Sequence, residues 1–250
     1  MTVTIQEYFK TSKQARYSLL FALPLLMLYE GFSALLSQSA VTGVRNGADV
    51  LLKTLFLTLG GRTGLLVFGV LLLGVGGWMV VKDQRKRGDP INHRVFGGMF
   101  LESLILAALF GQTVALLTTW MLGGGPTLLS VQAETTVATL PFSTQIVVSL
   151  GAGLYEELLF RVLLVSGLLA LGLRLGWDRK ISVSVAVVAS ALIFSAFHYI
   201  GPYGDQLTTP SFTFRAIAGV LLSGLYVFRG FGITAWTHAL YDVGLALLAA

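Results

Sequence analysis

The chain is a succession of apolar runs joined by short polar connections. Stretches of about 18 or more residues with few charges, the length a helix needs to cross about 30 Å of hydrocarbon, occur at 17–38, 64–81, 95–122, 142–173, 181–200, 212–228 and 231–249. These runs lack the period-two alternation of a membrane barrel, and an open sheet would leave unpaired backbone groups in lipid. The pattern therefore predicts an all-α, polytopic integral membrane protein with about seven transmembrane helices. The run at 142–173 is too long for one perpendicular crossing, so its first turns are expected in the interface. Leu51, Leu52, Leu55, Phe56 and Leu59 recur at helical spacing, with Lys53 and Thr58 on the other side. That spacing predicts an amphipathic interfacial helix over 46–59, ended by Gly60 and Gly61. No repeat, low-complexity tract or linker divides the chain, which reads as a single membrane domain over 1–250.

Composition fixes the solvent. Charged residues make up 12% of the chain and hydrophobic residues 55%, with a mean hydropathy of +0.79, whereas soluble domains carry about 25% charged residues. There is too little polar surface to cover a globule in water. With no Cys, disulfides, thiolate metal ligands and Cys nucleophiles are excluded together, which leaves carboxylates, His, Ser, Lys and backbone for any chemistry. The net charge of +5 does not point to nucleic acid, because the basic residues sit between the apolar runs, where they set membrane orientation.

Lys10, Lys13 and Arg16 precede the first run, Lys82, Arg85, Lys86, Arg87 and Arg94 follow the second, and Arg174, Arg179 and Lys180 follow the fourth. The connections 123–141 and 201–211 contain no Lys or Arg. This bias places the N-terminus in the cytoplasm and the chain, multi-pass, in the plasma membrane. Arg45, Lys53 and Arg62 run against it. The first run is longer than the roughly 7 to 15 apolar residues of a signal peptide and reads as an uncleaved anchor.

The ionisable residues inside the apolar runs are Glu30, Glu102, Glu156, Glu157, Arg161, His198, His238 and Asp242. Each costs ~2 to 3 kcal/mol in hydrocarbon unless it is paired or wetted. Glu157 and Arg161 are four apart, the spacing of a same-face ion pair, while Glu156 points about 100° away and stays free to act as a base. His238 and Asp242 are also four apart, so the carboxylate can hold the imidazole tautomer. His198 ends a run of small and apolar residues. Glu30 and Glu102 have no base within helical reach and are expected to face another helix or water. His93, in a basic connection, reads as a surface residue. Gly97, Gly98, Gly151 and Gly153 are expected to permit close helix packing.

Glu-Glu-x-x-x-Arg at 156–161, Phe-x-x-x-His at 194–198 and His-x-x-x-Asp at 238–242 follow one another in separate apolar runs. In that order they resemble the CAAX protease and bacteriocin-processing enzyme (CPBP) family, also called Abi or type II CAAX prenyl endopeptidase-like, over roughly 142–242. The resemblance implies an intramembrane endopeptidase without cofactor or covalent intermediate, its catalytic core at about 142–250. Glu156 and His198 would activate a water, His238 and Asp242 would stabilise the oxyanion, Arg161 would form a structural ion pair, and Glu157 would count as part of the site. The implied partner is a membrane-embedded or lipidated substrate, either a prenylated CAAX-like tail or a peptide precursor. Many members have Asn at the position of Asp242, and an ionised Asp cannot donate a hydrogen bond.

Three other readings compete. Glu156, His198, His238 and Asp242 also make a zinc ligand set, although no His-Glu-x-x-His helix is present. Buried Glu, His and Asp serve proton-coupled transporters as well, though the paired halves of such proteins are not visible here. The third is an inactive scaffold or immunity protein. Span limits taken literally put the two site His roughly 13 Å apart in depth. The protease reading requires Glu156, both imidazoles and Asp242 to converge around one cavity.

Overall fold

The computed structural model of the chain describes residues 4–36, 43–124, 136–201 and 204–249. The end of the first expected run at 37–38, most of the connection 123–141, and Pro202-Tyr203 lie outside the described residues. Among the described residues every regular element is a helix. A short helix α1 (Ile5–Ser12), closed by a capping box between Thr4 and Glu7, leads into α2 (Ala15–Leu36), α3 (Gly47–Arg87) and α4 (His93–Leu122). A single 3-10 turn at Thr136–Thr139 precedes α5, which runs from Phe142–Gly151 through wide π-type turns at Ala152–Glu156 and Leu158–Val165 to Ser166–Arg174. The bundle ends with α6 (Arg179–Phe197), α7 (Thr209–Arg229) and α8 (Phe231–Ala249). The helices α2, α3, α4, α6 and α7 are each long and apolar enough to cross a membrane, and α5 and α8 bring the crossings to roughly seven.

Helix α3 contains the expected break. Gly60 and Gly61 leave helical geometry, Gly61 at φ 58°, a region that glycine enters without steric cost. Phe56 and Phe68, on either side, have ring centroids 5.2 Å apart, where a straight helix would separate them by about 18 Å. The chain therefore folds back, and a Cβ on Gly64 would lie 1.8 Å from the Phe56 carbonyl oxygen. The first arm, 47–59, is the helix that the spacing predicted, but Lys53, expected on its polar side, is buried. Leu51, Leu55 and Leu59 are exposed, while Asp49, Leu52 and Lys53 are buried. The reason is ionic. Lys53 and Arg45 turn inward to Glu30 and Asp49 at 2.8–3.0 Å, and burying those four charges together costs less than burying either sign alone.

Helix α8 packs against α2, α4, α5 and α7, and α6 against α5 and α7. Small residues set the spacing: a Cβ on Gly153 would lie 2.4 Å from the Ala235 carbonyl, one on Gly151 2.5 Å from the Tyr29 ring, and one on Gly98 2.9 Å from the Tyr8 ring. Gly97, expected to do the same, has nothing within 4 Å. Glu102 has the partner its own helix could not supply: the Arg229 guanidinium donates to both of its oxygens at 2.6 Å, and the Tyr8 hydroxyl donates at 2.5 Å.

Candidate active site

The wide winding of α5 narrows the angle between consecutive side chains. Glu156 and Glu157 consequently both turn into the bundle, 6% and 0% exposed. Glu157 accepts from His238 Nδ1 at 2.7 Å and lies 3.1 Å from Arg161 Nε. Arg161 is itself fully buried, with its guanidinium 4.4 Å from the centre of the Phe194 ring. The pair expected from the i,i+4 spacing is present, and α8 supplies a third member to it. His238 thus has its shorter contact with Glu157, while Asp242 Oδ2, one turn along α8, is 3.5 Å from Nε2.

Glu156 is held from the opposite side. Its Oε1 accepts from the Asn46 amide at 2.8 Å, and its Oε2 lies 3.9 Å from His198 Nε2. His198 closes the end of α6, where its Nδ1 is 2.8 Å from the Phe194 carbonyl. A carbonyl only accepts, so Nδ1 carries a proton, and in the neutral ring it is the Nε2 lone pair that faces Glu156. The backbone beyond His198 is tied back, with Asp205 N–H donating to the His198 carbonyl at 2.9 Å. Arg215 binds Asp205, the Tyr199 hydroxyl and Ser211 Oγ. The Phe194 ring lies between the two imidazoles, 4.8 Å from His198 and 6.2 Å from His238.

The structure therefore brings Glu156, Glu157, Arg161, His198, His238 and Asp242 into one connected cluster. The roughly 13 Å difference in depth inferred from span limits does not survive packing. His198 and Asp242 keep a quarter of their side-chain surface exposed, at 25% and 27%, while Glu156, Glu157 and His238 are closed in. Among the described residues, no three His, Asp or Glu side chains are grouped so as to hold a metal ion; the four proposed zinc ligands do not form such a group.

Two contributors have no side-chain signature in the motifs. Asn46 comes from the start of α3, more than a hundred residues before Glu156, and its one sequence signal is that of a helix cap. The Phe194 carbonyl belongs to a motif residue but acts through its backbone, which carries no side-chain signature. Glu30 is joined by Arg45, Lys53 and the Tyr155 hydroxyl, so it lies beside the site without facing it.

Residues 138–244 match the family model of the type II CAAX prenyl endopeptidase Rce1-like family, a stretch that includes all six of these residues. No curated protein and no solved structure matches the chain. The matched segment contains the three motifs in order and the helices α5 to α8 that bring them together, and over that segment the chain is similar to the type II CAAX prenyl endopeptidase Rce1-like family.

Proposed function

We propose that the protein is an intramembrane endopeptidase that hydrolyses a peptide bond of a membrane-associated substrate, a prenylated CAAX-like tail or a peptide precursor, with a water activated by Glu156 and His198. The observation that carries this reading is the 3.9 Å gap between Glu156 Oε2 and His198 Nε2. Each group is fixed at its far end, by the Asn46 amide and by the Phe194 carbonyl. With the His198 ring neutral, what faces the gap is two acceptors and no donor. A water about 2.8 Å from each atom donates one hydrogen to each, which leaves its lone pairs for a carbonyl carbon.

In the proposed cycle the water oxygen bonds to the scissile carbon as Glu156 takes the proton. The carbonyl π electrons move to oxygen, and the collapse of that oxyanion breaks the C–N bond as Glu156 returns the proton to the leaving nitrogen. His238 is oriented by Glu157 through Nδ1. In its doubly protonated form it also donates from Nε2, beside Asp242, toward the oxyanion. This role suits an Asp where many members have Asn, because the donor is the ring and not residue 242. Every step is carried by side chains, so cleavage is expected to resist chelators.

We further propose that the N-terminus is cytoplasmic and the membrane the plasma membrane. The contacts of Arg16 with Asp89 and of Arg229 with Ser12 gather the basic N-terminus, the basic 82–94 connection and the end of α7 at one side of the bundle.

The test compares membranes carrying wild type, Glu156→Gln and His198→Ala, first by comparative proteomics for an accumulating precursor, then by cleavage of that precursor and of a farnesylated CAAX peptide. Both variants are expected to lose at least ~10²-fold in rate. Membrane proteomes and cleavage unchanged by Glu156→Gln would sink the mechanism and favour a scaffold.

A further inference from the structure

Asn46 lies outside the stretch that matches the family, yet among the described residues it makes the one direct side-chain hydrogen bond from another helix to Glu156. It is 3% exposed, and each of its polar groups has a fixed partner. Oδ1 accepts from the Ala48 N–H at 2.8 Å as the cap of α3. The backbone N–H donates to the Tyr29 hydroxyl at 3.1 Å, which in turn donates to Asp49 at 2.7 Å. With Oδ1 committed to a backbone donor, the amide can present only its NH₂ to Glu156. Bound in that sense, Asn46 favours an ionised Glu156 and sets the direction of its second oxygen.

The space for this contact is built in. A Cβ on Gly151 would lie 2.6 Å from the Cβ of Asn46, so α5 lets α3 approach only because residue 151 has no side chain. Behind Asn46, the first arm of α3 is anchored by Arg45 and Lys53 on Glu30 and Asp49. Tyr155, next in sequence to Glu156, donates to the same Glu30 at 2.7 Å. The ionic cluster thereby grips both Asn46 and the backbone that carries Glu156.

From this geometry we propose that Asn46 is a positioning residue for the hydrolytic reaction, which orients the Glu156 carboxylate so that Oε2 faces His198. The proposal rests on Glu156 being the base. Asn46→Ser and Asn46→Asp both keep a good helix cap. Ser is too short to donate to Glu156, and Asp sets a second carboxylate against it. Kinetics of wild type and the two variants are to be measured on the precursor that accumulates with Glu156→Gln, alongside thermal unfolding in detergent. Asn46→Ser is expected to lower kcat roughly 10- to 100-fold, the loss of one hydrogen bond to a charged group, with KM within about twofold and an unchanged Tm. Asn46→Asp is expected to fall further.

If Glu156→Gln blocks processing while Asn46→Ser retains wild-type kcat, the positioning role is overturned and the base survives. A kcat loss that comes with a lowered Tm in both cap-preserving variants overturns it in favour of a structural role. If no precursor accumulates with Glu156→Gln, the base reading falls and the positioning role falls with it.

Discussion

Glu157 joins two groups that helical spacing alone would keep apart, Arg161 one turn along its own helix and His238 on α8. Its removal leaves a fully buried guanidinium against the Phe160 and Phe194 rings without its salt-bridge partner, and breaking a buried pair in this way costs about 3 to 5 kcal/mol. Glu157→Leu is thus expected to lower the unfolding temperature in detergent sharply. Adding Arg161→Met should restore most of that stability, since an apolar pair replaces a buried ion pair at little net cost. Cleavage should stay lost in both, because His238 Nδ1 loses the acceptor that fixes the ring. A double variant no more stable than the single one would show that Arg161 is not the destabilised group. At this scale the sequence showed the Glu157–Arg161 pair, since both residues lie on one helix at a spacing its geometry sets. It could not show that His238 pairs more closely with Glu157 than with Asp242, because that choice depends on where α8 lies against α5.

Between elements, the closest approach to the site is that of α5 to α8 at Gly153. A Cβ there would lie 2.4 Å from the Ala235 carbonyl and 2.6 Å from Ala239, so α8 must shift to admit it. Gly153→Ala is expected to cost about 1 to 3 kcal/mol, despite the better helix propensity of Ala, and to reduce cleavage by moving His238 off Glu157. Gly167→Ala, with nothing within 4 Å, serves as the control and should leave both Tm and rate unchanged; equal effects from the two would remove the packing argument. The helices themselves were legible, from α2 to α8, because long apolar runs leave lipid few alternatives. The inward face of 47–59 was not. Apolar periodicity marks the core side of a helix in water, whereas in lipid Leu51 and Leu55 lie well outside and Lys53 turns in to a carboxylate from α2. The capping box that starts α1 is the kind of local signal that a search for apolar runs passes over.

Over the whole molecule, one end of the bundle is secured by Arg16. Its guanidinium donates to Gln84 Oε1 at 2.7 Å, the Asp89 carbonyl at 2.8 Å and the Asp89 carboxylate at 2.6 Å, which ties the start of α2 to the α3–α4 connection. The Asp89 carboxyl, outside the spans, is held below the usual carboxylate range by that hydrogen bond from Arg16. A carboxylate with a depressed folded value stabilises fully above its unfolded pKa of about 3.9 and loses this as pH falls through the lower folded value. The Tm of wild type in detergent should therefore fall between about pH 4 and more acid solution, and Asp89→Asn, already without the pair at neutral pH, should fall less over that window. Parallel declines would place the acid sensitivity elsewhere. By itself the sequence determined the solvent, the all-helical membrane architecture of roughly seven spans, and the few ionisable residues inside them, since hydropathy and helical spacing act within one segment. Only the tertiary structure decided which of those residues meet. The contacts between Asn46 and Glu156, Glu157 and His238, and Glu30 and Arg45 each join different segments, and their geometry follows from how closely glycine-lined helices pack and how buried charges find partners across them.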